Sequence, residues 1–480
     1  MNRSFYNGVI GIKSHQTGID IVANNISNIK STAYKGEEAE FQTIFSQTLT
    51  GKYSPTSNDV GLGSAVTSTK TNLQQGSLLN TDNTFDMALD SEGWFGVMNK
   101  LGEVNYTRDG SFSIDANGDL TNAMGLYLLG SLGDNISPTT LPKEKLDKLG
   151  SIYGNKITKE RRIYTISDKG EIELSKNPSK INLPDILYLP PKPTTIVNYK
   201  ANLDPAIKLD ISGNEIANKE HFTTSVISPN GDKDILDMSF TKEVPQQQSG
   251  STWNADIKIL HYEGDYNPDQ TYDPSKYVVY PNQNEVYSIV DKKNGILTFD
   301  SNGALLSNSV PPLSNSGTSL ALNLGTPLDP NISSSGYDGL ISIKGNNISH
   351  SVSKDGYTDG YLKGYGLNEN GEIVAEFDNG KSIPVAKIGV YHFQNDEGLE
   401  RISGSLFKES ANSGKAFFYK DANGNLFNGS NILSHKLEQS NVNLTNAMTE
   451  LIIMQKAFDA NAKCITTSDQ MIQKAINMKR

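Results

Sequence analysis

The chain has 480 residues, 36% of them apolar and 20% charged, enough for two to four domains. Its 54 acidic against 43 basic residues leave a net charge of −11, which excludes nucleic acid as a partner, because binding there needs a basic face to displace counterions. A single cysteine, Cys464, excludes an internal disulfide and any multi-cysteine zinc site, and reads as a small apolar residue on a helix.

The start, Met1-Asn2-Arg3-Ser4-Phe5, lacks the charged-then-apolar pattern of a cleaved secretion signal. No apolar run approaches the ~20 residues that span a bilayer, so no membrane insertion is expected. On those grounds alone the chain reads as cytoplasmic. From Phe5 to Ile29 apolar residues recur every seven positions as Phe5, Ile12, Ile19 and Ile26, with Val9, Val22 and Ile29 beside them, which predicts a striped helix. Gly8, Gly11 and Gly18 weaken that helix in isolation, so a packing partner must stabilise it.

The middle of the chain reads as β. Asn-Gly pairs begin at Asn117, Asn230, Asn294, Asn302, Asn370, Asn379 and Asn423, and Asn-Gly suits the positive φ angles of tight hairpin turns. Alternating segments such as Gly295–Phe299 and Glu372–Phe377 flank several of them. Leu189-Pro190-Pro191-Lys192-Pro193 is a stiff, extended linker, and a second boundary is expected in or soon after the Ser/Gly/Asn-rich stretch from Ser314 to Gly336. The C-terminal stretch carries a cleaner heptad: Leu437, Leu444, Leu451, Phe458, Ile465 and Ile472. No Gly or Pro interrupts it after His435, and Leu437 to Asn477 predicts a helical rod of roughly 60 Å. Such a stripe needs burial, and the N-terminal helix is the obvious partner.

Residues able to do chemistry are scattered. The six histidines form no metal-binding spacing, and Arg161-Arg162, the densest basic spot, reads as a solvated turn. Asp115-Ala116-Asn117-Gly118-Asp119 and Asp421-Ala422-Asn423-Gly424-Asn425 faintly resemble calcium loops, but the glycine comes too early and no Glu occupies the twelfth position. Gly61-Leu62-Gly63 lacks the third glycine of a dinucleotide loop. No catalytic, metal-binding or cofactor-binding residue is singled out, and no enzyme is expected.

Three segments do carry a resemblance. Ala23-Asn24-Asn25-Ile26-Ser27-Asn28 followed by Ala33-Tyr34-Lys35-Gly36 is similar to the N-terminal signature of the rod–hook family of flagellar axial proteins, with Ala33 where the family usually has Gly. The run from Gln75-Gly76-Ser77 through Gly93-Trp94-Phe95 to Tyr106-Thr107-Arg108-Asp109-Gly110 resembles its second block, with Trp94 in place of the usual Phe. Leu437-Glu438-Gln439-Ser440-Asn441-Val442, then Gln455-Lys456-Ala457-Phe458 and Asn461-Ala462-Lys463, resembles its C-terminal signature. A hook-type member is favoured over a distal rod-type one, because a long insertion carries Ala201-Asn202-Leu203-Asp204, Phe222–Val226 and Asp355–Gly360, which look like hook outer-domain segments. A secreted β-rich adhesin or hydrolase is the rival from another class.

The resemblance implies a mainly β protein with α-helical coiled-coil termini and nested, discontinuous domains. Residues 1–72 and 432–480 would form a terminal helical stalk, 73–190 and 346–431 an inner β domain with 135–189 as an extra lobe, and 191–345 an inserted outer β domain. It further implies a flexible hollow tube of identical subunits that transmits motor torque to the filament. The implied partners are the chain itself, the distal rod, the hook–filament junction, the hook cap and the type III export machinery. The implied location is the flagellar hook and basal body, outside the cell, after type III export without signal cleavage.

Overall fold

The computed structural model describes residues 3–44, 46–48, 59–153, 163–168, 170–245, 249–329, 334–345 and 350–478; the Arg161-Arg162 pair lies outside them. The protein is mainly β, with helices at its two ends. Helix α1 spans Arg3–Ser27, α2 spans Lys143–Tyr153 and α3 spans Leu444–Met478.

The turns follow from short polar side chains. Asp115 Oδ1 accepts the amides of Asn117 and Asp119 at 2.8 and 2.9 Å, and Gly118 takes φ +84°. Asp300 and Asp421 close their own hairpins the same way. In each of these loops a carboxylate oxygen holds backbone amides. Asn294-Gly295 departs from the expectation of a turn, since it lies inside the long strand Glu285–Phe299, paired with Asp256 and Ala255. A side chain at Gly295 would meet Val310 at 2.6 Å, so glycine here serves close packing.

A fifteen-stranded sheet draws on two distant parts of the chain. Strand Trp94–Met98 pairs with Val104–Thr107, and Tyr127–Leu132 pairs with Ser382–Ile388, which continues through Glu372–Phe377 to Gly360–Leu367. Phe95, Leu128, Ile181, Ile373 and Ile388 are fully buried in its core. Three strands between 136 and 189 extend this sheet, because Ile163–Ile166 pairs with Ile136–Thr139 and with Leu187–Leu189. Helix α2, which the sequence reading did not foresee, packs there through Leu149 against Ile186, Tyr188 and Tyr361.

A second core lies between the two halves of the first. Its centre is Val197, Tyr199, Met238, Phe240, Trp253, Ile257 and Leu297, under a six-stranded sheet that runs from Lys219–Ile227 to Tyr277–Tyr280. The chain enters along Pro190–Pro193, where Lys192 and Tyr357 exchange backbone hydrogen bonds at 2.9 and 3.0 Å. It leaves later than the expected boundary at 345/346, because Ser351–Lys354 still pairs with Ile196–Asn202.

The ends also differ in detail from the expected stripes. The described residues between 37 and 71 are not helical: Glu37–Thr43 pairs antiparallel with Ser64–Thr71 beside α1. Leu437 is not on α3 but in strand Lys436–Glu438, opposite Leu79, because Glu438 is drawn into the buried site described below. Helices α1 and α3 run antiparallel, and Ser4 hydrogen-bonds Ser468 at 2.9 Å. Their seam on α1 is the small-residue line Gly8, Gly11 and Gly18, against Ile465, Asn461 and Met454. Phe5, Ile12, Ile19 and Ile26 flank that seam half-buried. Added Cβ atoms at Gly8 and Gly11 would lie 2.8 Å from Ile465 and 2.6 Å from Asn461, so glycine sets the helix spacing. On α3, Leu451, Phe458 and Ile465 are half-buried, whereas Leu444 and Ile472 are exposed.

Candidate functional site

The feature that unites the chain ends is a buried ionic junction. Lys35 Nζ lies 2.7 Å from Glu438 Oε1, and both side chains are 1% exposed. Lys35 also donates to the carbonyls of Gln74 at 2.7 Å and Leu73 at 3.4 Å, so its three donors are all engaged. Glu438 Oε1 accepts the Gly76 amide at 3.0 Å, and Arg108 Nη1 stands 3.6 Å from Oε2 while donating to the Ser91 carbonyl at 2.8 Å. Burial holds the Lys35 ammonium below its usual pKa, with Glu438 opposing that shift; Arg108 is lowered for the same reason. A side chain at Gly76 would overlap the Gln439 carbonyl oxygen, so only glycine lets the two strands close here.

Around this centre the turn after α1 is knitted to the segment before α3. Ala33, at φ +53°, donates its amide to the Glu438 carbonyl at 2.8 Å, and Asn441 accepts the Gly36 amide at 2.9 Å. Asn441 also donates to the Asn72 and Gln74 carbonyls at 2.7 and 2.9 Å. Asn25 accepts the Glu37 amide and returns a bond to its carbonyl, and Tyr34 donates to Asn25 while accepting from Asn24. Asn28 bonds back to Asn24 at the helix end. Arg401 pairs with Glu37 at 2.7 Å and stacks 4.6 Å from the Tyr34 ring centroid. Burial raises the Tyr34 hydroxyl pKa, with Arg401 opposing.

The structure thus brings Asn24, Asn25, Asn28, Tyr34, Lys35 and Arg108 together. Asp109 and Gly110 lie next to them. Asp109 is raised in pKa by burial, with Ser111 hydrogen bonds opposing, and a side chain at Gly110 would overlap the Met87 carbonyl oxygen. Gly93, at φ +130°, and Phe95 belong to the neighbouring sheet, and Gln455, Ala457 and Asn461 lie on α3, where Asn461 faces Gly11. Glu438, Asn441, Arg401 and Gly76 were not singled out from the sequence. The available signal was that Glu438 and Gly76 stand inside the same recurring blocks as Lys35. The chemistry of the junction is buried charge pairing, which holds several chain segments in register.

Fold and junction together define a β-rich structural protein whose two ends are tied into one helix-bearing base. Two family models match: "Flagellar hook protein FlgE/F/G D1 domain" over residues 88–174 and "Flagellar basal body rod FlgEFG protein C-terminal" over residues 433–478. Over its full length the chain is 28% identical to the flagellar hook protein FlgE of Borreliella burgdorferi, with 100% of both chains covered. It is 24% identical to that of Escherichia coli, covering 99% of this chain and 100% of the other. The crystal structure of Helicobacter pylori flagellar hook protein FlgE2 aligns with 74% of this chain and 98% of its own, at 17% identity and a TM-score of 0.45. Along its whole length the chain is similar to members of the flagellar rod–hook family, a structural family rather than an enzyme family.

Proposed function

We propose that this chain is the structural subunit of a flagellar hook, polymerising into a flexible hollow tube that carries torque from motor to filament. Full-length similarity to hook proteins supports this reading. The observation that carries it is the apolar surface left uncovered on α3. Leu444, Met448, Ile452, Ile453, Met471, Ile472 and Ile476 are exposed along a 35-residue helix, about 50 Å long, which α1 covers only in part. Further copies of α1 and α3 would bury these side chains, and head-to-tail repetition of one such contact builds an open helical array.

The rest of the reading follows the family. The ends form a stalk around the channel, the large sheet an inner domain, and the second core an outer domain whose contacts slide as the tube bends. The chain leaves the cell through the flagellar type III apparatus without signal cleavage, and meets the hook cap, the distal rod and the hook–filament junction. Electron microscopy of basal bodies from a strain lacking this gene tests the assignment. Complete rods without hooks are expected; truncated rods would make it a rod subunit, and intact hook–basal bodies would refute the proposal.

A further inference from the structure

One small element of the second core bears apolar side chains that are exposed among the described residues. Lys208–Leu209 pairs with Glu215–Ile216 as a two-stranded hairpin separate from every larger sheet. Ile207 is 68% exposed, Leu209 61%, Ile216 47%, and Ile211, in the turn, is 108% exposed. The register puts Ile216 on the face of Lys208 and Leu209 on the face of Glu215, so both faces and the tip are apolar and open.

A lone hairpin is marginal in water, yet this one is firmly mounted. Asn218, 1% exposed, donates to the carbonyls of Asp204 and Ala206 at 2.7 and 2.6 Å. Lys242, whose side chain is 4% exposed, holds the Pro205 carbonyl and the Glu215 carboxylate, each at 3.0 Å. Asp210 Oδ1 accepts the amides of Ser212 and Asn214, both at 2.8 Å, which sets the turn that presents Ile211. A rigid base under an apolar tip is the build of a knob.

We infer that residues 205–217 form a contact that seats on a neighbouring copy of this chain in the assembled tube; this rests on the hook reading above. The size of the patch selects the occupant. It offers a few hundred Å² of apolar surface, well below the roughly 800 Å² per partner of a stable free-standing interface. Such a patch holds a partner only where another contact already keeps the two molecules together, and the α3 face supplies that contact between copies. A membrane surface does not fit, because the hairpin bears one lysine against two carboxylates and no aromatic ring.

The test places a photo-crosslinking amino acid at position 211 of the full-length chain. Irradiated tubes isolated from cells are compared with the same chain as dilute monomer. The expected result is at least about tenfold more chain-to-chain adduct in tubes. Equal yields in both states, no adduct in either, or adducts only to a different protein would overturn the inference. In parallel, Ile207→Asp/Ile211→Asp tubes should form and come apart at a lower temperature, and an unchanged dissociation temperature would count against the contact. Failure of the unsubstituted chain to form tubes removes the hook reading and this inference with it, whereas tubes without adducts remove the inference alone.

Discussion

Replacing Glu438 by Ala removes the carboxylate that pairs with two buried cations. Lys35 would stay 1% exposed and Arg108 7% exposed without that partner. Breaking a buried pair from one side costs about 3–5 kcal/mol. At ~1.4 kcal/mol per factor of ten, local opening of the junction becomes roughly 10²–10³-fold more frequent. Global unfolding is a poor readout, because a chain with separate cores need not unfold in one step. Amide hydrogen exchange reads the site directly. The Ala33 amide, bonded to the Glu438 carbonyl, and the Asn441 amide, bonded to the Tyr34 carbonyl, are the reporters. Their protection should fall by that factor while Ile257, buried in the second core, keeps its own. Glu438→Gln, which retains an acceptor for Lys35 and Gly76, should lose less than Ala. Protection of Ala33 and Asn441 within about threefold of wild type in Glu438→Ala would refute the argument that this ion cluster locks the chain ends.

Gly110→Ala should destabilise the large-sheet core by about 3 kcal/mol or more, because the clashing atom is a backbone oxygen that cannot swing aside. Gly102→Ala, with φ +87° but open space, should cost about 1–2 kcal/mol; equal thermal shifts for the two would disprove the steric argument. Ile453→Asp, at a position 60% exposed, should leave monomer stability within about 0.5 kcal/mol of wild type yet abolish tubes in electron micrographs. Normal tubes from this variant would show that the α3 face is not an assembly surface. The two histidines below give opposite pH dependences. The Asp234 carboxylate hydrogen-bonded to His261 raises its pKa, so its contribution is complete below the unfolded value of ~6.5 and is lost as pH rises through the folded pKa. Burial lowers the pKa of His392, so its contribution is present above ~6.5 and is lost as pH falls through the folded pKa. Hydrogen exchange between pH 5 and 8 should show the second core gaining and the large-sheet core losing protection on acidification, each trend flattened by His→Gln at its own site.

Local chemistry decided much of this molecule. Asp-x-Asn-Gly tetrads close the turns at Asp115, Asp300 and Asp421 because the side-chain oxygen, the short loop and the positive-φ glycine are adjacent in the chain. Heptad spacing located α1 and the body of α3 for the same reason: periodicity is a property of neighbouring residues. The three recurring blocks carried the family. What the sequence could not decide were choices made by residues far apart. The apolar stripe of α1 is not its seam, because Gly8, Gly11 and Gly18 admit Ile465, Asn461 and Met454 more closely than Phe5 or Ile12 would allow. Leu437 repeats in register with the helix, yet it lies in a strand because Glu438 beside it is drawn to Lys35, 403 residues away in sequence. A carboxylate reads as a surface residue until the cations that neutralise it are brought to the same place. Only tertiary structure assembles that desolvated site, since attraction among the three groups offsets the cost of taking them out of water only when they are buried together.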